Sequence, residues 1–371
     1  MNPLHHKLLT LIDERGSLPF AEFMDIALYD PEHGYYSGGG ERTGWRGDFL
    51  TSPELDPAFG ILWLRGLEQI WEVSGRPTRF DLVEVGPGEG GFAAALLEEA
   101  DGPFADALKV TLVELSDERR KRQRRRLGDL SVSWARGLEE IDAFASGCVF
   151  ANEVLDNQPI HVLRTEDGEL LELHVAQEDG RLVEQWRKCS DARTIEAAGG
   201  STSEAKGTIE VSPAADALVE ACASLVKRGA VVFVDYGRDG AVHHGGSVVT
   251  FSSSGVDSLR LDEPGSRDIT AHVDWDSVRR ALVRAGLETV GPERQRSILL
   301  ALGAAALDGD LRKAHGENLE RGRGAAAVRM LSRRQALRAL LDPGGLGRLQ
   351  VFAGFKGIEV PPFLRQKEDR P

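Results

Sequence analysis

Three groups of residues could do chemistry in this chain. The first is Glu84-Val-Gly86-Pro87-Gly88-Glu-Gly90-Gly91. It follows an apolar run that reads as a strand and opens a segment that reads as a helix. A backbone without side chains turns sharply there and lets a ligand approach closely, and the helix behind it offers unpaired N–H groups to negative charge. The second is Glu114, 23 residues beyond Gly91 at the end of the next apolar run. A carboxylate in that place accepts from the two hydroxyls of a ribose. The third is Asn152, Glu153 and Asp156, which follow a fourth apolar run. Two acids match the planar fork of donors on a guanidinium, and they would orient one of its nitrogens for attack.

Two cofactors compete for the glycine loop. Gly86, Gly88 and Gly91 satisfy GxGxxG, the dinucleotide fingerprint. Gly86, Gly88 and Gly90, preceded by Glu84, satisfy the E-x-G-x-G-x-G form of S-adenosyl-L-methionine enzymes. Glu84 favours the second, because it serves the amino-acid end of that cofactor and would repel a pyrophosphate. A purely structural strand-to-helix turn is the remaining alternative.

The other candidates each have a plain structural reading beside the functional one. Thr51 and Ser52 sit in a long Gly- and Tyr-rich loop (30–54), where they contact a cofactor carboxylate or start a helix at Pro53. Tyr36, next to Tyr35, lines a substrate channel or pins its loop. Asp235 and Tyr236 end a fifth apolar run and face the same sheet edge as substrate contacts. His272 is a second acid/base group or a satisfied structural histidine. Glu153 and Asp156 themselves would be unremarkable as solvated acids at a helix cap. Arg119–Arg126 holds seven bases in eight residues. It reads as a solvated helix face suited to an acidic partner. Nucleic acid is disfavoured, since no aromatic residues interleave and the chain carries 45 Lys+Arg against 59 Asp+Glu, a net charge of −14.

The elements that must position these groups follow from periodicity. Residues 80–85, 109–115, 132–134, 148–152 and 230–237 are short runs, mostly rich in Val and Phe, that read as buried strands. Gly91–Glu99 and Asp117–Leu127 read as helices between the first three. Alternating strand and helix predicts a parallel sheet covered on both faces, an α/β Rossmann-like core. Residues 161–187 alternate around two Asp-Gly pairs and predict hairpins. Residues 189–209 read as a loose polar connection and 238–271 as a Gly/Ser-rich insertion. Helices are expected near 4–12, 20–28, 58–73 and 273–285, a strand, turn and helix over 288–303, a helix over the segment RQALRALLDP, and a closing strand in the segment LGRLQVFAGFKG. The expected organisation is a helical N-terminal cap with a covering loop (1–79), a cofactor core (80–237) with a hairpin insertion (161–187), a substrate-side insertion (238–271), and a C-terminal completion of the core (272–371).

At 371 residues, 41% hydrophobic and 28% charged, the composition is that of a globular protein. Cys148, Cys189 and Cys222 form no CxxC or Cys/His cluster, so no zinc site is expected, and an odd, sparse set fits a reducing compartment. The longest apolar stretch, 298–307, is far short of the ~20 residues that span a bilayer. These features predict a cytoplasmic protein without a membrane or nucleic-acid partner. Oligomeric state is left open, a dimer included.

The blocks GDFLTSPELDPAFG (47–60), LVEVGPGEG (82–90), LVELSDERRKRQ (112–123), FANEVLDNQPIH (150–161), FVDYG (233–237), PGSRDITAHVDW (264–275) and FAGFKG (352–357) resemble the MidA-like S-adenosyl-L-methionine-dependent methyltransferases. Mitochondrial relatives in that family methylate an arginine of a respiratory complex I subunit during assembly. The resemblance implies a class I methyltransferase sheet carrying the cofactor across Glu84, Gly86, Pro87, Gly88, Gly90, Glu114 and Leu115. It implies a loop with Thr51 and Ser52 closing over that cofactor, and a protein arginine as acceptor. The chain departs from the family pattern at Glu89, where a basic residue is usual, and at Asn157-Gln158, where DALP is usual after the fourth strand. A non-catalytic assembly factor that binds the same cofactor, and a NAD-dependent oxidoreductase, are the rival expectations.

Overall fold

The computed structural model describes residues 2–37, 51–199, 207–240, 242–243, 246–252 and 255–365. The chain divides into two compact units. The larger comprises Thr43–Glu153, Ala221–Tyr236 and Leu282–Pro371, and the smaller comprises Met1–Arg42, Val154–Glu220 and Gly237–Ala281. This grouping cuts across the linear organisation expected above. The N-terminal segment is shared between both units, and the 161–187 hairpins belong with the smaller one rather than with the cofactor core.

The larger unit is built on a seven-stranded sheet. Its strands are β1 (Phe80–Val85), β2 (Leu108–Val113), β3 (Val132–Ala135), β4 (Gly147–Asn152), β5 (Gly229–Asp235), β6 (Glu288–Arg294) and β7 (Gln350–Lys356). Their spatial order is β3-β2-β1-β4-β5-β7-β6. The first five pair in parallel, and β7 runs antiparallel to both β5 and β6. This is the Rossmann-like sheet that alternating strands and helices predicted. Continuous apolar runs form these strands because the central ones are buried on both faces; every residue of β5 is buried. The chain leaves β1 toward β2 on one side and returns to β4 on the other. Ligands bind at such a switch point, beyond the carboxyl ends of the strands. Glu84 and the glycine loop end β1, Glu114 follows β2, and Asn152 ends β4.

Helix Ala58–Val73 packs on helix Gly91–Glu99, which carries the glycine loop. The approach is close at Gly60, where an added Cβ would lie 2.7 Å from Ala95 Cβ and 3.0 Å from the Phe92 carbonyl. Phe92 stacks on Phe150 of β4 at 4.5 Å between ring centres, and Trp63 meets the same ring edge-on at 4.9 Å. These aromatic contacts seat the loop helix on the sheet.

The smaller unit contains an antiparallel sheet whose central strand, Glu169–Glu178, pairs with Leu18–Pro19, His161–Glu166 and Arg181–Lys188. Both Asp-Gly pairs are its hairpin turns. Asp167 and Gly168 have φ of 49° and 79°, and Asp179 and Gly180 have 50° and 76°. Two successive positive φ values are what a tight hairpin of this hand requires. Three sequence expectations change. Part of the loose 189–209 connection is a helix (Ala192–Ala197) and a strand (Thr208–Val211). The Gly/Ser-rich insertion holds a three-stranded antiparallel sheet, Gly255–Ser258, Val249–Ser252 and Asp268–Thr270. In the larger unit, β6 runs straight into helix Gln295–Ala301, without the expected turn. Among the described residues no helix is long and apolar enough to cross a membrane.

Gly60→Val is expected to lower the thermal unfolding midpoint, with about 1–3 kcal/mol lost to overpacking against the loop helix. An unchanged midpoint would show that the two helices are not in close contact.

Candidate functional site

The glycine loop leaves β1 through three left-handed residues, Gly86, Gly88 and Gly90, with φ of 64°, 55° and 85°. A side chain there would be strained whatever the space around it. Gly91 has another reason to be glycine. Its Cβ would lie 2.6 Å from the Pro53 carbonyl oxygen and 2.8 Å from Glu54 Oε1. Glu54 Oε1 accepts from the Gly91 N–H at 3.0 Å, and Glu54 Oε2 takes Arg126 Nη1 at 2.5 Å. The glycine that completes GxGxxG is therefore demanded by protein packing.

Two carboxylates flank the loop. Glu84 is 4% exposed, and its Oε2 is buried without a hydrogen-bond partner. Burial, with the nearby charge of Glu54, pushes its carboxyl up to about 8, and Arg126 opposes that rise. Glu114 is also buried; Oε1 accepts from the Ser116 N–H at 2.8 Å, and Oε2 lies 3.4 Å from Gln123 Nε2. Burial raises this carboxyl, while Arg119, the Ser116 N–H and Gln123 pull the other way. The donor set fits S-adenosyl-L-methionine. An orphaned buried carboxylate calls for a cation, which the cofactor's ammonium provides, and a second carboxylate at the neighbouring strand end suits a ribose diol. Leu115, 68% exposed beside Glu114, offers an apolar surface.

Sequence reasoning missed the residues that hold this loop. Gln123 is fully buried and donates through Nε2 to the Gly88 carbonyl at 2.8 Å, while its Oε1 accepts from Trp134 Nε1 at 3.0 Å. Arg122 pairs with Glu89 at 3.0 Å, and Arg124 lies over the Trp134 ring at 4.2 Å. The basic run is thus not simply a solvated face: Arg122 and Arg126 both grip acids on or beside the loop. Glu89, the departure from the family pattern, is one of those acids. The missed signal was the spacing of Gln123 and Leu127, the two buried positions of helix Asp117–Leu127, one turn apart.

The remaining candidates divide between the units. In the larger, Asn152 Nδ2 donates to Glu153 Oε1 at 2.9 Å, and the Glu153 N–H donates to the Val234 carbonyl at 2.8 Å. Glu153 has φ of 54°, a left-handed conformation that costs a non-glycine residue about 1–2 kcal/mol. Asp235 is buried and accepts from the Tyr236 N–H at 2.8 Å; Arg348 lies over the Tyr236 ring at 5.2 Å. Thr51 precedes helix Ser52–Leu55, so the helix start near Pro53 is present. Ser52 is fully buried and accepts from Gln295 Nε2 at 3.1 Å, which ties it to the support of the loop. The GDF triplet of the same sequence block lies outside the described residues.

In the smaller unit, Asp156 is buried and its carbonyl accepts from the Ala271 N–H at 2.9 Å. Asn157 is buried as well and donates to Asp268 Oδ1 at 3.0 Å and to the Ile269 carbonyl at 3.1 Å. The Tyr36 hydroxyl reaches both oxygens of Asp268 at 3.0 Å, so it pins its loop. His272 is exposed rather than buried, and its N–H donates to Ser247 Oγ at 2.9 Å. The departure at Asn157 is therefore a buried tie between two of the blocks that carry the resemblance, 150–161 and 264–275.

A family model described as "Putative S-adenosyl-L-methionine-dependent methyltransferase" matches residues 65–293. The chain belongs to the MidA-like family of S-adenosyl-L-methionine-dependent methyltransferases. It is 30% identical to the mitochondrial protein arginine methyltransferase NDUFAF7 homolog of Drosophila melanogaster, an alignment covering 96% of this chain and 85% of that protein. It is 28% identical to the human mitochondrial protein arginine methyltransferase NDUFAF7, over 82% of this chain and 74% of that one. A crystal structure from Burkholderia thailandensis bound to S-adenosyl-homocysteine superposes with a TM-score of 0.84 at 28% identity, covering 99% of this chain and 95% of that one. This MidA-like chain is a class I, S-adenosyl-L-methionine-dependent methyltransferase. The oxidoreductase alternative falls with that assignment.

The raised Glu84 carboxyl makes stability depend on pH. The folded state holds this proton up to about pH 8, and the unfolded chain releases it near the ordinary carboxyl value, so Glu84 favours folding at low pH and loses that contribution as pH rises through about 8. Unfolding midpoints of the cofactor-free protein and of Glu84→Gln should diverge in favour of Glu84→Gln between about pH 5 and about pH 9. A pH-independent difference would mean that Glu84 is ionised in the folded protein.

Proposed function

We propose that this methyltransferase modifies an arginine nitrogen on a protein, with Glu84, Gly86, Pro87, Gly88, Gly90, Glu114 and Leu115 holding the cofactor. Two things support the reading: its similarity to relatives named protein arginine methyltransferases, and a carboxylate held in a strained conformation at the end of β4, next to the switch point. Backbone strain of this kind persists where the surrounding structure over-determines it, as at active sites.

When bound, S-adenosyl-L-methionine supplies a methyl group carried on a sulfonium. Glu84 would hold its ammonium, its own carboxyl proton passing to water. Glu114 takes the ribose hydroxyls, and the bare backbone at Gly86 to Gly90 lets the cofactor settle close to the strand end. Methyl transfer is an in-line displacement, so positioning is the main service of the protein. Glu153, oriented by Asn152, accepts N–H bonds from the acceptor guanidinium and aims one nitrogen. An arginine remains protonated at neutral pH, so a proton must leave as that nitrogen gains a methyl; a Glu153 carboxylate oxygen takes it and passes it to water. Asp156, three residues along the chain, serves as a second acid, and Asp235, Tyr236, Tyr36 and His272 as substrate contacts. The chain acts in the cytoplasm on this reading, where its three buried thiols, none in a disulfide, suit a reducing medium, although the relatives named above are mitochondrial.

Purified protein given tritiated S-adenosyl-L-methionine and lysate should label protein, with the label recovered as methylarginine. Gly88→Val should abolish both labelling and cofactor binding. Glu153→Gln should lose at least about a hundredfold in rate, the usual scale for a positioned acid/base group, while binding S-adenosyl-homocysteine normally. Label recovered on lysine or on a small molecule would overturn the arginine assignment, and full activity of Glu153→Gln would overturn its role.

A further inference from the structure

We infer that Gln123 is a positioning residue that sets the glycine loop and Glu114 relative to each other, and that Trp134 decides which way its amide faces. The inference rests on the cofactor assignment above. An indole N–H can only donate, so the 3.0 Å contact from Trp134 Nε1 must be to the amide oxygen of Gln123. The amide nitrogen then faces the other way, 2.8 Å from the Gly88 carbonyl and 3.4 Å from Glu114 Oε2. One donor group thus spans two of the proposed cofactor contacts, which lie beyond the ends of different strands, β1 and β2. Trp134 belongs to β3 and pairs in register with Leu112 of β2, two residues before Glu114, so the third strand reaches the loop through this amide. Arg124 over the indole face holds the ring in place.

The chemistry makes the orientation matter. With the amide reversed, its oxygen would face both a carbonyl and a carboxylate, and the Trp134 donor would meet an NH2 group. A glutamate at 123 would set a second carboxylate against Glu114. A leucine would fill the space but leave the Gly88 carbonyl and the Trp134 N–H without these partners in a buried setting.

The test is calorimetric titration of S-adenosyl-homocysteine into the full chain, with thermal unfolding measured alongside. Gln123→Leu should weaken binding about tenfold or more, the scale of an unsatisfied buried polar group. Gln123→Glu should bind poorly at high pH and recover as pH falls and the new carboxyl becomes a donor; a role in stability alone would not give that recovery. Trp134→Phe should weaken binding less than Gln123→Leu. Lys121→Ala, on the exposed side of the same helix, should bind like the parent. Folded Gln123→Leu with parental affinity would overturn the inference, as would a Gln123→Glu profile that follows the parent at every pH. If Gln123→Leu does not fold, the Gln123→Glu and Trp134→Phe titrations decide. Glu114→Ala separates the two levels: if it weakens binding and the Gln123 variants do not, positioning by Gln123 alone is wrong, whereas parental affinity in Glu114→Ala removes the cofactor assignment itself.

Discussion

A carboxylate kept out of water with one oxygen unsatisfied is the constraint around which the larger unit is arranged. Glu84 lies in a strand hydrogen-bonded on both sides, and the register sets it opposite Leu112 and Phe150. Water does not reach it, so its charge is costly until a cation arrives. The neighbouring elements follow from that condition. The backbone must turn away at once without Cβ atoms, which requires three left-handed glycines in five residues. The helix behind must come close, which requires Gly91 beneath Pro53. Glu54, which raises the cost of charging Glu84, is itself held by Arg126 and the Gly91 N–H.

The arginine-rich helix is the least expected part of this arrangement. A run of seven bases in eight residues suggests a surface handle, and Lys121 and Arg125 are indeed exposed. Yet the single uncharged residue of the run makes the inward contacts, and Arg122 and Arg126 answer acids on and beside the loop. Glu89 fits the same pattern. A family position that is usually basic carries an acid here and finds its partner on the facing helix, so the departure is absorbed within the loop's own support.

The second departure is absorbed differently. Asn157 is buried in the smaller unit, where it joins the segment after the fourth strand to Asp268 and Ile269; Tyr36 joins the same aspartate from the N-terminal segment. Three stretches far apart in the chain meet at one carboxylate. A small apolar residue at 157 could not make those bonds, so the change from the family pattern is structural in effect.

Much of the fold was legible from sequence because burial on both faces leaves few choices. The strand at 80–85 and the helices at 91–99 and 117–127 have the expected bounds. Both Asp-Gly turns were readable for a local reason, since only residues that tolerate positive φ serve there. The strand at 208–211, the sheet within 249–270 and helix Ala304–Glu320 were not: the strand pairs with His161–Arg164, far back in the chain, and the helix is rich in alanine and polar residues and packs on the helix that follows it, Gly324–Leu340. The chemistry divides in the same way. Residue type and spacing along one strand-turn-helix unit, with the acid before the glycine loop, favoured a sulfonium cofactor over a dinucleotide. Only the tertiary structure decided that Gly91 answers to Pro53, that Ser52 turns to Gln295, and that Gln123 faces inward from a basic helix. Those are contacts between segments 35 or more residues apart or between neighbouring strands and helices, and local sequence carries no record of which surfaces will meet.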